Sequence, residues 1–216
     1  MRDVGFGADC VHVVGHPYLE RICAESRDSG STGNTIRVLF VSQPITSDQS
    51  FKGIFFTQFG GRRLIDEIAD VIEMGSAHFA FPGRRVKMCL RRHPKEQPLE
   101  KLPKGMDADP FAEWDTSLRE HHIFIGMDSM ALVEAGLAGK RCITLDLPEF
   151  RSLSDGSVPF AYSKKAVNTA GLAEALEAAV AALDASSGNG STCPEFLHDS
   201  TQRTLDVAER FFNKKI

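Results

Sequence analysis

FIGMDSMALVEAGLAGKRCITLD, residues 124–146, packs a strand, a turn, a helix and the start of a second strand into one stretch. The apolar lead-in stops at Gly126, where a glycine permits a tight turn. Asp128 or Ser129 can then cap the helix that follows. Ala131, Ala135 and Gly136 keep one side of that helix thin, so that it can lie close against a sheet. The run "RCITLD" (141–146) starts the next strand. Apolar strands that alternate with helices predict an open, mostly parallel α/β sheet of the Rossmann-like kind, covered on both faces.

The same alternation extends outward in both directions. "IRVLFVSQP" (36–44) is a continuous apolar strand halted by proline. "RRLIDEIADVIEM" (62–74) places Leu64, Ile65, Ile68, Ala69 and Ile72 on one helical face. "RRVKMCLRRHP" (84–94) reads as a strand whose charges put it near a sheet edge, and residues 95–110 read as a proline-rich loop. A helix is expected over 111–121, a strand over "HIFIG" (122–126), an alanine-rich helix over 169–183 and a final helix near 199–213. The Gly/Ser-rich stretches 25–35 and 184–192 have the composition of flexible connectors. The expected organisation is an entry segment over 1–24, a linker over 25–35, a Rossmann-like domain over 36–183, and a linker with a C-terminal helix over 184–216.

Composition narrows the function classes. The 216 residues are 42% hydrophobic and 25% charged, with a formal net charge of −4. Such a chain has no global field for nucleic acid or an anionic membrane surface. It has no run of apolar residues long enough for a transmembrane helix, and no signal-peptide pattern at its start. A cytoplasmic protein is expected. The five cysteines are scattered without a CxxC pair, which argues against a disulfide framework and a zinc site. Cys89 and Cys142 read as small buried hydrophobes. His121 and His122 are adjacent and so point different ways, a poor metal pair, and the acids form no divalent-cation cluster.

In a parallel sheet the loops after each strand share one rim, where such folds bind ligands. That rim would carry Gln43, His93, Asp128 with Ser129, and Asp146. The amide groups at the mouth of the helix after Ser129, with its dipole, suit a phosphate, and the serine adds a hydroxyl donor. Glu134 lies about a turn and a half further on, where a carboxylate can accept from a ribose diol. The same residues also fit an ordinary cap and a solvated helix acid. His93, fixed by Pro94 at a strand end, can donate to a phosphate or act as an acid or base, with Arg91, Arg92 and Lys95 adding positive charge. A solvated strand end accounts for those charges equally well. A Ser129–His93–Asp146 hydrolase lacks the glycines that flank a nucleophile elbow.

Taken in order, four segments resemble the C-terminal half of a GT-B-type glycosyltransferase. "VHVVGHPYLERI" is similar to the segment that hands the chain from the first domain to the second, and "IRVLFVSQP" to the first strand of the second. "RRHPKE" resembles the His-Pro motif of bacterial sialyltransferases, capsular polysaccharide enzymes and UDP-N-acetylglucosamine 2-epimerases. Residues 124–146 resemble the helix pattern S-[ST/M]-x-x-x-E-A-x-x-x-G-K. The resemblance implies that His93 contacts the phosphates or donor sugar, that Ser129 and the Met130 N–H hold phosphate, and that Glu134 holds the ribose. Gln43 and Asp128 complete the implied nucleotide site. It implies metal-independent transfer in surface polysaccharide synthesis, with a nucleotide sugar as donor and no further cofactor. The rivals are an epimerase-like enzyme and a non-catalytic nucleotide-binding module. About twenty residues precede the apparent domain hand-over, too few for an acceptor domain, so the expectation is either an internal start within a longer or interrupted reading frame or a first domain supplied by a separate chain. A separate acceptor-binding domain or chain is therefore an implied partner, a second copy of this chain is another, and the chain alone is expected to bind a donor without rapid transfer.

Overall fold

The computed structural model describes residues 12–25, 33–43, 83–96, 101–102, 105–127, 129–145, 164–166, 169–185 and 193–213. The helix expected over 62–74, and Asp128 and Asp146, lie outside them. The sheet has six strands: β1 (Thr35–Val41), β2 (Arg85–Arg91), β3 (Met106–Ala108), β4 (Ile123–Gly126), β5 (Arg141–Leu145) and β6 (Lys164–Ala166). Every pairing is parallel, in the order β3-β2-β1-β4-β5-β6. The chain thus builds outward from β1 to β3, returns to the middle, and builds outward again from β4. The reversal of direction falls between β1 and β4.

Strand periodicity divides the apolar runs between two cores. Ile36, Val38 and Phe40 of β1, Met88 and Leu90 of β2, Ile123 and Ile125 of β4, and Ile143 and Leu145 of β5 face one side. There they pack on Leu172, Leu176, Ala179 and Val180 of α4 (Thr169–Ala185). The intervening Leu39, Val41, Cys89, Phe124 and Cys142 face the other side. That side is covered by α1 (Pro17–Glu25), α2 (Trp114–Glu120) and α3 (Met130–Leu137), together with Leu197 of the 3-10 turn Glu195–Leu197. Continuous apolar strands follow directly, because both faces of the sheet are buried. Cys89 and Cys142 are buried in this second core, as expected of small hydrophobes.

Three elements depart from the sequence reading. Residues 17–25 form a helix, α1, opened by Pro17 at its first position, where a missing N–H costs nothing. Residues 106–108 form β3 within the expected loop. β3 pairs only Met88 to Leu90 of β2, so Arg85 and Lys87 remain exposed on that strand and its charged start is explained. The short β6 was not expected either. The final helix, α5 (Ser200–Asn213), starts one residue later than expected.

Candidate nucleotide site

All strands being parallel, the residues after Val41, Arg91 and Gly126 lie along one rim. The β1–β4 reversal sets Ser42 and Gln43 beside Met127 and Ser129, since Phe40 pairs with Ile125. Gly126 sits where a side chain would be crowded, and its φ is not in the left-handed region. A Cβ on it would stand 3.2 Å from the Val41 carbonyl oxygen and 3.3 Å from a Leu132 methyl. The two central strand ends approach that closely.

Ser129 caps α3. Its backbone is extended (φ −135°, ψ 136°) and its Oγ accepts the Ala131 N–H at 3.2 Å. A hydroxyl that accepts once still has a proton to donate. Met130, half exposed, opens the helix, and its N–H is among the amides that helix geometry leaves without an internal partner. The capping role therefore leaves the Ser129 hydroxyl proton available to donate.

Glu134 is not a freely solvated acid. Its Oε2 accepts the Tyr18 hydroxyl at 2.8 Å and the Trp114 indole N–H at 2.5 Å. Burial, and then the Glu134 carboxylate, push the Tyr18 hydroxyl up to about 12, so it stays a donor. Two donors use about half of a carboxylate's acceptor capacity, and the side chain is held in one place between α1 and α2.

The loop after β2 is equally ordered. Glu96 accepts the Ser42 hydroxyl on Oε1 at 2.6 Å and the His93 N–H on Oε2 at 2.7 Å. The Glu96 N–H returns to the His93 carbonyl at 2.9 Å, and the Lys95 N–H donates to His93 Nδ1 at 3.2 Å. Arg91, expected as a phosphate-binding cation, is consumed inside the fold. Its Nη1 donates to Asp109 Oδ2 at 2.6 Å, to Ser117 Oγ at 2.9 Å and to the Phe111 carbonyl at 3.0 Å, and its Nη2 reaches the Ala112 carbonyl. The guanidinium also lies 5.5 Å from the Trp114 ring centroid. Arg91 therefore locks the end of β2 to α2 and offers no charge to a ligand.

The strongly shifted nitrogen bases sit at the opposite end of the sheet. His122 Nδ1 accepts the Arg37 N–H at 2.9 Å, and burial, with Lys140 and Arg37 nearby, holds its pKa down to about 4. Lys140 donates to the Arg119 carbonyl at 2.9 Å and burial lowers it to about 8. His121, fully buried, bonds the Ser117 carbonyl through Nδ1 and stacks edge-on to Phe111 and Phe124. The "GK" of the helix pattern is thus structural. Among the described residues no cluster of His, Cys, Asp or Glu suits a metal ion, and no helix is long and apolar enough to cross a membrane.

Of the sequence candidates, Gln43, His93, Ser129 and Met130 share the rim, and Glu134 lies on α3 below it. Glu96, Ser42, Tyr18 and Trp114 were not anticipated. Pro17 was a legible signal for the helix that carries Tyr18, but nothing in "HPKE" marks the acid as a brace.

No family model matches the sequence, and no curated protein is similar to it. Solved structures are. The UDP-GlcNAc 2-epimerase of Methanocaldococcus jannaschii, in complex with UDP-GlcNAc and UDP, superposes with a TM-score of 0.55 at 13% identity over 97% of this chain. Weaker likenesses, on which nothing is built, are the glycotransferase of kitacinnamycin (TM-score 0.46, 19% identity, 84% of this chain and 44% of that one) and the wall teichoic acid polymerase TagF (0.44, 10%, 90% and 48%). This chain spans 57% of the length of the epimerase it matches. Its fold is the Rossmann-like fold of one half of a GT-B-type enzyme.

Proposed function

We propose that this chain is the nucleotide-sugar-binding half of a glycosyltransferase-type enzyme of glycan synthesis, with the Rossmann-like body over residues 36–183 as the donor domain. The observation that carries the reading is the meeting of Ser42–Gln43, His93 and Ser129–Met130 on one rim. They lie at or next to the point where the strand order reverses, which is where open parallel sheets bind nucleotides. In this reading the Ser129 hydroxyl and the Met130 N–H hold a phosphate at the mouth of α3, and Gln43 contacts the same nucleotide. His93 stabilises the charge that develops on the departing diphosphate, and Glu134 accepts from the ribose. Catalysis rests on positioning and on donors aimed at leaving-group charge, with the acceptor supplied by another domain or chain.

The test is thermal unfolding of the purified chain against UDP, CMP, GDP and their sugar conjugates. A ligand at 100 times its dissociation constant adds about 2.7 kcal/mol, several degrees for a chain of this length. One nucleotide should raise the transition, and Ser129→Trp should abolish the shift. A well-folded chain that responds to none of them overturns the proposal. Isomerisation of UDP-GlcNAc without an acceptor would favour an epimerase instead.

A further inference from the structure

We propose that Glu96 is the positioning residue of the rim. By bracing the turn after β2 against the end of β1, it fixes His93 as the tautomer protonated at Nε2, so the imidazole serves the site as a hydrogen-bond donor rather than as a base. The ligand part of this inference rests on the donor-site reading above, whereas its tautomer part does not.

The brace is a single carboxylate divided between two loops. One oxygen takes the Ser42 hydroxyl at 2.6 Å, on the loop after β1, and the other takes the His93 N–H at 2.7 Å. The turn closes on itself through the Glu96 N–H to the His93 carbonyl at 2.9 Å. Arg92 Nη1 adds a bond to the Glu96 carbonyl at 3.1 Å. Pro94 fixes its own φ inside this turn and removes a competing donor. Held this way, residue 95 brings its backbone N–H to 3.2 Å from His93 Nδ1.

A backbone N–H can only donate, so Nδ1 must present its lone pair. The proton of the neutral ring is then on Nε2. A base at this position would need a free lone pair, and the one the ring has is already engaged. A donor needs only Nε2–H. The neighbouring groups agree: the Ser129 proton and the Met130 N–H are donors as well. A rim of donors is suited to anionic oxygens, and a nucleoside diphosphate supplies several.

The experiment is a long-range 1H–15N correlation spectrum of the histidine-labelled chain, with the His93 signals assigned by their loss in His93→Gln. The wild type should show His93 as one tautomer, protonated at Nε2. Glu96→Ala should give a mixture of tautomers, and Glu96→Gln, which keeps an acceptor for the His93 N–H but offers none as strong to Ser42, should fall between. In parallel, affinity for the nucleoside diphosphate selected by the thermal panel should drop about tenfold in Glu96→Ala, the worth of one hydrogen bond to a charged group. Affinity for the corresponding nucleoside, which has no phosphate, should hold. A wild-type ring protonated at Nδ1, or a Glu96→Ala chain with unchanged tautomer, overturns the proposal. Should Glu96→Ala not fold, Ser42→Ala breaks the brace from its other end and is read by the same criteria. A wild type that binds no nucleotide yet shows the Nε2–H ring, lost in Glu96→Ala, would leave the brace standing and remove the donor-site reading.

Discussion

Acid should destabilise this fold through one histidine, and the amount can be worked out. His122 immediately precedes β4. Its N–H donates to the Arg37 carbonyl at 2.9 Å, and its Nδ1 accepts the Arg37 N–H at 2.9 Å. Protonation at Nδ1 would set one N–H against another. Burial chiefly, then the charges of Lys140 and Arg37, lower its pKa from 6.5 to about 4. The unfolded chain therefore binds a proton that the folded chain refuses between these values. The stability contributed by a neutral His122 is whole above pH 6.5, declines as the pH falls through the window, and is gone below about pH 4. At pH 5 the two values imply a loss of about 2 kcal/mol relative to pH 7. The ring is only half-buried, and solvent screening reduces this to about 1 kcal/mol. Urea unfolding at pH 7 and pH 5 should be compared for the wild type and His122→Asn. The asparagine Oδ1 takes the place of the Nδ1 acceptor and does not titrate. The wild type should lose about 1 kcal/mol more than the variant between the two pH values, while His121 and the carboxylates, present in both, cancel. Equal losses would refute the reasoning.

Other expectations follow from single contacts. Arg91→Ala leaves Asp109, whose side chain is 4% exposed, as a buried charge with, among the described residues, Ser117 Oγ and the Phe111 N–H donating to it; a cost of about 3–5 kcal/mol should lower the melting temperature by roughly ten degrees, and adding Asp109→Asn should recover part of it. Gly15→Ala combines φ +80° with a Cβ only 2.2 Å from Ser200 Oγ and 2.7 Å from the Phe196 carbonyl oxygen. It should cost more than about 1 kcal/mol in thermal unfolding, since backbone must move as well as side chain. Burial, and then the neighbouring Cys193, push the Cys23 thiol up to about 12, and Cys193 packs against the core cluster that holds Cys23. Mild copper–phenanthroline oxidation should therefore join those two cysteines within one chain, and peptide mapping that finds no such link would contradict the packing of α1 on the C-terminal segment.

What the sequence revealed and what it hid divide along a physical line. Strands β1, β4 and β5 were legible because a strand buried on both faces is apolar along its length, and β2 because its Met88–Leu90 centre keeps that local pattern between charged ends. The rim followed from the strand ends once the sheet was taken as parallel. β3 and β6, three residues each, are too short to carry a period, and they exist because a longer neighbour offers an open edge. The partners of Glu134 were hidden for a different reason. Tyr18 and Trp114 lie 116 and 20 residues away, and no local spacing encodes a contact made by tertiary packing. Arg91 shows the reverse error. Its place beside Arg92 and His93 suggested a cluster of free charge, but Asp109, folded back beneath it, claims the guanidinium.

The two ends of the sheet carry different kinds of polar chemistry, and under the proposed function this separates binding from stability. At the ends where the strands begin, His122, Lys140 and the Arg37–Glu120 pair (2.8 Å) spend their polar groups on backbone and on each other. At the ends where the strands finish, Glu96 and Glu134 use their carboxylates to hold donors in place, while Ser129 and Met130 keep donors in reserve. Strongly shifted pKa values often mark functional sites. Here the shifted His and Lys groups lie at the end where the strands begin, and burial is the chief cause of their shifts. Substitutions at that end should change the unfolding free energy and leave any nucleotide-induced increment intact. Substitutions of Ser129 or Glu96 should do the opposite, reducing the increment by more than they reduce the stability of the unliganded chain. If His122→Asn and Ser129→Trp altered the increment alike, the rim would have no special standing, and the site would have to lie elsewhere in the chain.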